Sequence, residues 1–137
     1  MNFTINIKKG VGDLVFGMPV ETVVATLGNA DSVENIENAD DEQTTVLHYD
    51  ELDMTLFFEE ENPVLTCIDL GNEESTLFGK KVFELDERAL VQLMVGEGYT
   101  EQDVDDEAWG ERRVSFPEAD VDFFFDDGEL MSVNLGQ

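Results

Sequence analysis

The side chains that could carry nucleophilic chemistry are one histidine and one cysteine, His48 and Cys67. A Ser-His-Asp or Cys-His arrangement would need His48 as its base, and no glycine-rich turn surrounds Cys67 in the apolar stretch 64–68. We therefore predict that the protein is not an enzyme. His48 is expected on the surface of a sheet, and Cys67 is expected to be a small hydrophobic residue near the core. A lone cysteine forms no disulfide within the chain and no structural zinc site.

Carboxylates dominate the chemistry of the chain, with 33 Asp and Glu against 7 Lys and Arg and a formal net charge of −26. The run 103–107 resembles half of a calcium loop, but the glycine and the terminal glutamate of that motif do not follow. The sequence has no glycine-rich phosphate loop, and its charge excludes general binding to phosphate backbones. We therefore predict no cofactor, no metal site and no nucleic-acid partner.

Composition bounds the class of protein. Hydrophobic residues make up 42% of the chain and include ten Phe, which is typical of a globular domain. Residues 1–10 lack the apolar core of a signal peptide, and no window has transmembrane length, so we predict a cytoplasmic protein with no membrane partner. The negative charge has two interpretations: it steers a basic protein partner, or it serves solubility or adaptation to high salt.

An internal repeat organises the chain. Residues 12–60 and 79–127 align without a gap at an offset of 67. Such a repeat predicts one structural unit built twice. We predict a single domain over 1–137, with repeats at about 10–71 and 77–137 and a linker at 72–76.

Each copy is predicted to be a strand or extended lead-in, then one helix, then three strands. The first helix ends at Gly28, and Asp86 is the expected N-cap of the second. The predicted strands are 44–49, 52–59 and 65–70 in the first copy and 112–116, 119–126 and 130–135 in the second. We therefore predict an α+β fold, in which two tandem helix-plus-three-strand repeats form one antiparallel sheet with both helices on one face.

Alternation along the strands predicts which side chains face a partner. Residues 54, 56 and 58 share one face, expected to meet the helices, so Phe57 and its repeat mate Phe124 lie on the other. They form a patch covered by a partner, or loops or a dimer cover them. The acidic connections 31–42 and 101–111 could steer a partner, or they are simply solvated loops. The candidate partner-binding residues are Phe57, Phe124, His48, Trp109, Asp105, Asp106, Glu107, Asp40 and Asp41.

The run 16–23, followed by Leu27-Gly28 and Asp31, resembles the opening of the β-lactamase inhibitory protein and of small outer-membrane-assembly lipoproteins. That resemblance implies a tandem repeat with one concave sheet, whose face away from the helices holds a target through aromatics and loop acids. The positions for that role here are Phe57, Phe124, His48 and Trp109. The second copy departs from the motif, since Glu84-Leu85 replaces its Gly-Met pair.

The predicted function is a non-enzymatic, cytoplasmic protein-binding module that is a monomer or a weak homodimer. Its sharpest form is an immunity-type inhibitor of a basic toxin such as a nuclease, because an acidic surface can occlude a phosphate-binding cleft. The alternative is an acidic housekeeping or structural protein whose charge serves solubility or salt adaptation.

Overall fold

The computed structural model describes residues 2–37, 43–59, 64–106 and 111–136. Strand is much more abundant than helix among them. The two α-helices are α1 (Val20–Leu27) and α2 (Glu87–Gly96), and 3₁₀ turns occupy Val82–Glu84 and Pro117–Ala119. The strands are β1 (Thr4–Asn6), β2 (Gly10–Val11), β3 (Leu14–Val15), β4 (Ser32–Glu37), β5 (Gln43–Tyr49), β6 (Met54–Glu59), β7 (Val64–Leu70), β8 (Thr76–Leu77), β9 (Lys80–Lys81), β10 (Asp103–Asp106), β11 (Glu111–Phe116), β12 (Val121–Asp126) and β13 (Glu129–Gly136).

These strands form two sheets. The large sheet has eight strands in the order β10-β11-β12-β13-β7-β6-β5-β4, and every neighbouring pair is antiparallel. The small sheet has five strands in the order β3-β2-β1-β8-β9, with β1 and β8 parallel. Each copy of the repeat supplies one half of the large sheet, and the halves meet where β7 pairs with β13.

The predicted α+β fold is wrong, because the structure is mostly β, with two sheets and four large-sheet strands from each copy. The additional strands β4 and β10 lie in the acidic segments that we interpreted as connections. Acidic side chains disfavour strands, but these two are the edge strands, where exposed charges cost little and block edge-to-edge association. Most strands of the small sheet have two residues, too few to show an alternation in sequence.

The two copies repeat each other's backbone irregularities. Asp53 and Asp120, at the offset of 67, both take the left-handed conformation with φ of 51°. A register shift follows between Phe57 and Phe58 in β6, and a matching one in β12. Irregularities that recur at one offset show that the copies share their strand geometry as well as their sequence.

An approximate two-fold axis relates the copies. Four residues, 60–63, separate β6 from β7, whereas two, Asp127 and Gly128, separate β12 from β13, so the offset falls from 67 to 65 in the last strands. At that offset Asp69 corresponds to Asn134, and these two residues pair directly across β7 and β13. The axis therefore passes between Asp69 and Asn134, at the centre of the large sheet.

The core lies on one face of the large sheet. Val23 of α1 and Leu90 and Met94 of α2 are buried in the same cluster as strand residues of both sheets. The rings of Phe116 and Phe123 pack edge to face at 5.8 Å. Both helices and the small sheet therefore cover the same side of the large sheet, which leaves its other side without a covering element among the described residues.

Asp86 at the start of α2 and Gly28 at the end of α1 lie where they were predicted. The Asp86 carboxylate accepts a hydrogen bond from the Ala89 N–H at 2.8 Å and so caps the start of α2. The chain leaves α1 at Gly28, whose φ of 87° favours glycine. No helix among the described residues is both long enough and apolar enough to cross a membrane.

Candidate functional site

The candidate site is the side of the large sheet opposite the core, which we call the open face. Phe57 and Phe124 lie on it, as the strand alternation predicted. Their strand neighbours Phe58, Phe123 and Phe125 are all at most 1% exposed and belong to the core, whereas Phe57 and Phe124 are partly exposed and lie outside it. The two aromatic side chains thus point away from the helices.

A row of polar residues crosses the middle of the open face, with one residue from each strand in direct register. From one edge to the other it consists of Ser32, His48, Thr55, Asp69, Asn134, Asp122, Ser115 and Asp103. Seven strand spacings of about 4.8 Å make it about 34 Å long. This central row contains the two-fold axis and divides the open face into halves, one from each copy.

The two halves carry equivalent rows of different chemistry. The first-copy row is Glu34, Val46, Phe57 and Cys67, and the second-copy row is Asp105, Arg113, Phe124 and Ser132. Val46 is only 3% exposed although it lies outside the core cluster, so it packs on the open face beside Phe57. The offset of 67 puts Arg113 in its place beside Phe124, which makes one half apolar where the other is charged.

The structure does not bring Phe57 and Phe124 together. They lie on β6 and β12, which are three strand spacings apart, and on opposite sides of the central row. The strand spacing and the rise per residue together put them about 20 Å apart. The two aromatics are therefore separate contact points and not one patch.

His48 lies on the sheet surface, as predicted, between two polar side chains. Its Nε2 is 2.9 Å from Glu34 Oε1, and its Nδ1 is 3.4 Å from the Thr55 hydroxyl. The Glu34 side chain is 60% exposed, so this pair contributes little to stability. It is a solvated contact near the edge of the first half.

Cys67 lies on the open face, so the prediction that it is near the core is wrong. Its thiol donates to Asn134 Oδ1 at 3.2 Å across the junction of β7 and β13. Burial raises the pKa of the Cys67 thiol to about 11, although the hydrogen bond to Asn134 opposes that shift. The thiol is therefore protonated at neutral pH and is a poor nucleophile. Burial also raises the pKa of the neighbouring Asp69, and the charge of Asp53 adds to that rise.

The adjacent candidates Asp105 and Asp106 point to opposite faces. Asp105 pairs with Arg113 on the open face. Asp106 binds Arg112 at 2.8 Å on the helix side, where Arg112 also reaches Glu87 of α2 at 2.5 Å. Asp105 can therefore contribute to a site on the open face, whereas Asp106 cannot. The candidates Trp109, Glu107, Asp40 and Asp41 lie outside the described residues.

The open face is strongly acidic. Strand alternation and register put nine carboxylates on its described part, against one arginine, Arg113, that is itself paired with Asp105. These acids are Glu34, Glu59, Asp69, Asp103, Asp105, Glu111, Asp122, Asp126 and Glu129. No group of three or more His, Cys, Asp or Glu in the described ranges is arranged to hold a metal ion. The net charge of the described part of the open face is therefore strongly negative.

Three residues that the sequence reading did not select contribute to this surface. Val46 and Arg113 are repeat mates, so the offset of 67 already contained the signal that the two halves differ. Met131 is 56% exposed and lines a small cleft of about 270 Å³ with Phe124. The sequence did not predict that Met131 contributes to this surface, because the irregular register of β12 and β13 breaks the simple alternation there.

No protein-family model, no curated protein and no solved structure matches the chain. The resemblance to the β-lactamase inhibitory protein therefore stays a prediction.

Proposed function

We propose that the protein is a non-catalytic binding module whose open face binds a basic protein. The observation that carries this proposal is a broad sheet face, uncovered by any described element, with nine carboxylates and one paired arginine. Charge complementarity selects a basic partner and speeds its association.

The size of the open face suits a protein partner. Eight strands at about 4.8 Å, each exposing about 18 Å of its length, present roughly 700 Å². A standard protein–protein interface takes about 800 Å² from each partner. A small ligand would leave most of such a flat surface unused.

The apolar residues on the open face provide the anchors. Phe57 beside Val46 marks one half, and Phe124 beside Met131 marks the other. Aromatic side chains that become fully desolvated at an interface carry much of the binding energy, whereas charges at the rim mainly set the association rate. The acids therefore steer the partner, and the two phenylalanines hold it.

The sharpest form of the proposal is an immunity-type inhibitor of a basic toxin such as a nuclease. The phosphate-binding cleft of a nuclease is positively charged, and an acidic protein surface can occupy it in place of nucleic acid. A captured nuclease should then lose its activity at a one-to-one ratio with this chain.

The experiment compares three immobilised forms of the protein: wild type, Phe57→Ala/Phe124→Ala, and the matched control Val15→Ala/Val95→Ala. The control removes exposed apolar side chains from the small sheet and α2, away from the open face. A basic partner captured from lysate is purified, its Kd is measured at low and moderate salt, and its footprint is mapped by hydrogen exchange.

We expect protection in β5, β6, β11 and β12, with binding that weakens as salt rises. The double phenylalanine variant should bind about a hundredfold more weakly, and the control within about twofold of wild type. A footprint on the helices would contradict the proposal. Failure to capture any basic protein at low salt would instead favour a solubility role for the charge.

A further inference from the structure

The segments that precede the two helices differ in how they meet the large sheet. In the first copy the Gly17 N–H donates to the Leu65 C=O at 2.8 Å, and the Leu65 N–H donates to the Met18 C=O at 2.8 Å. A bridge between Pro19 and Val64 continues this pairing. The backbone N–H and C=O of Leu65, near the start of β7, are therefore both hydrogen-bonded to the segment that precedes α1.

The equivalent end of β13 in the second copy lacks this backbone pairing among the described residues. Leu130 pairs with Phe125 of β12 as Leu65 pairs with Phe58 of β6, so its N–H and C=O likewise point away from that neighbour. Among the described residues, however, no hydrogen bond joins Leu130 to Glu84 or Leu85, the counterparts of Gly17 and Met18. On the side away from β12, the backbone of β13 at Leu130 is therefore a free edge within the part of the chain that the structure describes.

The two segments differ in residue type and backbone conformation at one key position. Gly17 has a φ of 96°, a conformation that glycine adopts freely and other residues rarely adopt. Its counterpart Glu84 instead ends the 3₁₀ turn Val82–Glu84, so the chain takes another path past β13. The two copies therefore differ at this position both in residue type and in the path of the backbone.

A groove of about 590 Å³ lies between these two segments. Phe83, Glu84, Leu85 and Asp86 line one side, and Gly128, Glu129, Leu130 and Met131 line the other, with Asp53, Gly71 and Glu73 completing the wall. Five of these residues are carboxylates, and none is a lysine or an arginine. The groove thus combines an unpaired strand edge, apolar side chains and a uniformly negative lining.

We propose that this groove binds an extended, basic peptide segment of a partner protein, which adds to the free edge of β13 at Leu130. An added strand makes backbone hydrogen bonds with such an edge, and its alternate side chains occupy the flanking pockets. Arginine and lysine side chains complement the five carboxylates. Four residues, 129–132, offer about 13 Å of edge. This binding mode does not depend on the open face.

The first test uses the repeat as its own control. Amide hydrogen exchange is measured by NMR for Leu130 and Leu65 in the free protein. The Leu130 amide should exchange at least about tenfold faster, because the Leu65 amide is hydrogen-bonded to Met18. Equal protection of the two amides would overturn the proposal, since it would mean that the groove is closed in solution.

The second test uses a capped hexapeptide of alternating valine and arginine, and the same peptide N-methylated at alternate residues. The unmodified peptide should protect the Leu130 amide, and N-methylation should weaken binding about tenfold, because it removes backbone donors at unchanged charge. Equal affinity of the two peptides would show attraction by charge alone and would overturn strand addition.

Two variants of one residue separate groove shape from groove charge. Glu84→Gly restores the glycine of the first copy, whereas Glu84→Ala removes the same carboxylate without freeing the backbone. We expect Glu84→Gly to slow exchange at Leu130 and to weaken peptide binding about tenfold, and Glu84→Ala to stay within about twofold of wild type. An equal loss of binding in both variants would assign the affinity to the Glu84 charge and overturn the proposal.

Discussion

The first and second copies share a core but differ on the surfaces that a partner could reach. Phe58 and Phe125 occupy the same buried position beside the same register shift. On the open face, by contrast, Val46 in one copy stands where Arg113 stands in the other. Duplication thus produced a framework whose core positions under the helices stayed alike, because packing limits them, while the rows of the open face and the strand edges diverged.

The largest effect on stability is expected in the core that the two copies share. Phe58→Ala and Phe125→Ala should each lower the free energy of unfolding by about 4 kcal/mol, because each opens a cavity at a residue at most 1% exposed. Urea unfolding of both variants measures the two costs. A cost below about 1 kcal/mol for either would show that the copies are not equivalent in the core.

The next test uses two glycines at equivalent positions, Gly12 and Gly79, with φ of 56° and 79°. A Cβ at Gly12 would lie 2.0 Å from the backbone oxygen of Asn2, whereas a Cβ at Gly79 would meet nothing within 4 Å. Gly12→Ala should therefore cost about 3 kcal/mol or more, and Gly79→Ala about 1 kcal/mol for the left-handed backbone alone. Thermal unfolding that shows equal costs would refute this asymmetry.

The rows of the open face provide a third comparison. Val46→Ala should cost about 2 kcal/mol, because Val46 is buried. Arg113→Ala should cost under 1 kcal/mol, since its ion pair with Asp105 is more than one third exposed on both sides. Urea unfolding at two salt concentrations checks both values. A larger loss for Arg113→Ala would mean that the second half depends on its charge for stability.

The smallest expected effect lies at the two-fold axis, where Asp69 faces Asn134. The raised pKa of Asp69 means that the folded state binds this proton more tightly, so the resulting stabilisation is present below the unfolded value of 3.8 and is lost as pH rises through the folded value. Asp69→Asn should therefore be more stable than wild type at pH 7, and this advantage should shrink toward pH 3.

Unfolding curves across that pH range check the sign, and Asn134→Asp is the reciprocal variant. It adds a second carboxylate at the axis and should lower stability at neutral pH, because like charges that face each other repel. An advantage of Asp69→Asn that grows as pH falls would contradict the assigned cause.

The sequence predicted the features that depend on local pattern. The offset of 67, the cap at Asp86, the end of α1 at Gly28 and the central strands of each copy were predicted. The alternation of buried residues also placed Phe57 and Phe124 on the correct face. These succeeded because helix caps and the two-residue period of a strand are read from a few neighbouring residues.

The remainder was not accessible to local pattern. The edge strands β4 and β10 consist mostly of polar residues, so only their pairing with β5 and β11 identifies them as strands. Asp105 and Asp106 were both predicted to bind a partner as acids of one loop, but they lie in a strand and point to opposite faces of the sheet. Cys67 was misplaced because an apolar stretch alone does not tell which residues of a strand face the core.

By itself, therefore, the sequence determined that one unit occurs twice and which side chains alternate along its central strands. The tertiary structure alone decided that β7 pairs with β13, which puts Asp69 opposite Asn134 and joins two halves into one open face. It also decided that, among the described residues, the segment with Glu84 makes no hydrogen bond to Leu130, whereas the segment with Gly17 is hydrogen-bonded to Leu65. Both outcomes depend on hydrogen bonds between strands far apart in sequence, whose register is set by turns and packing and not by the residues of either strand alone.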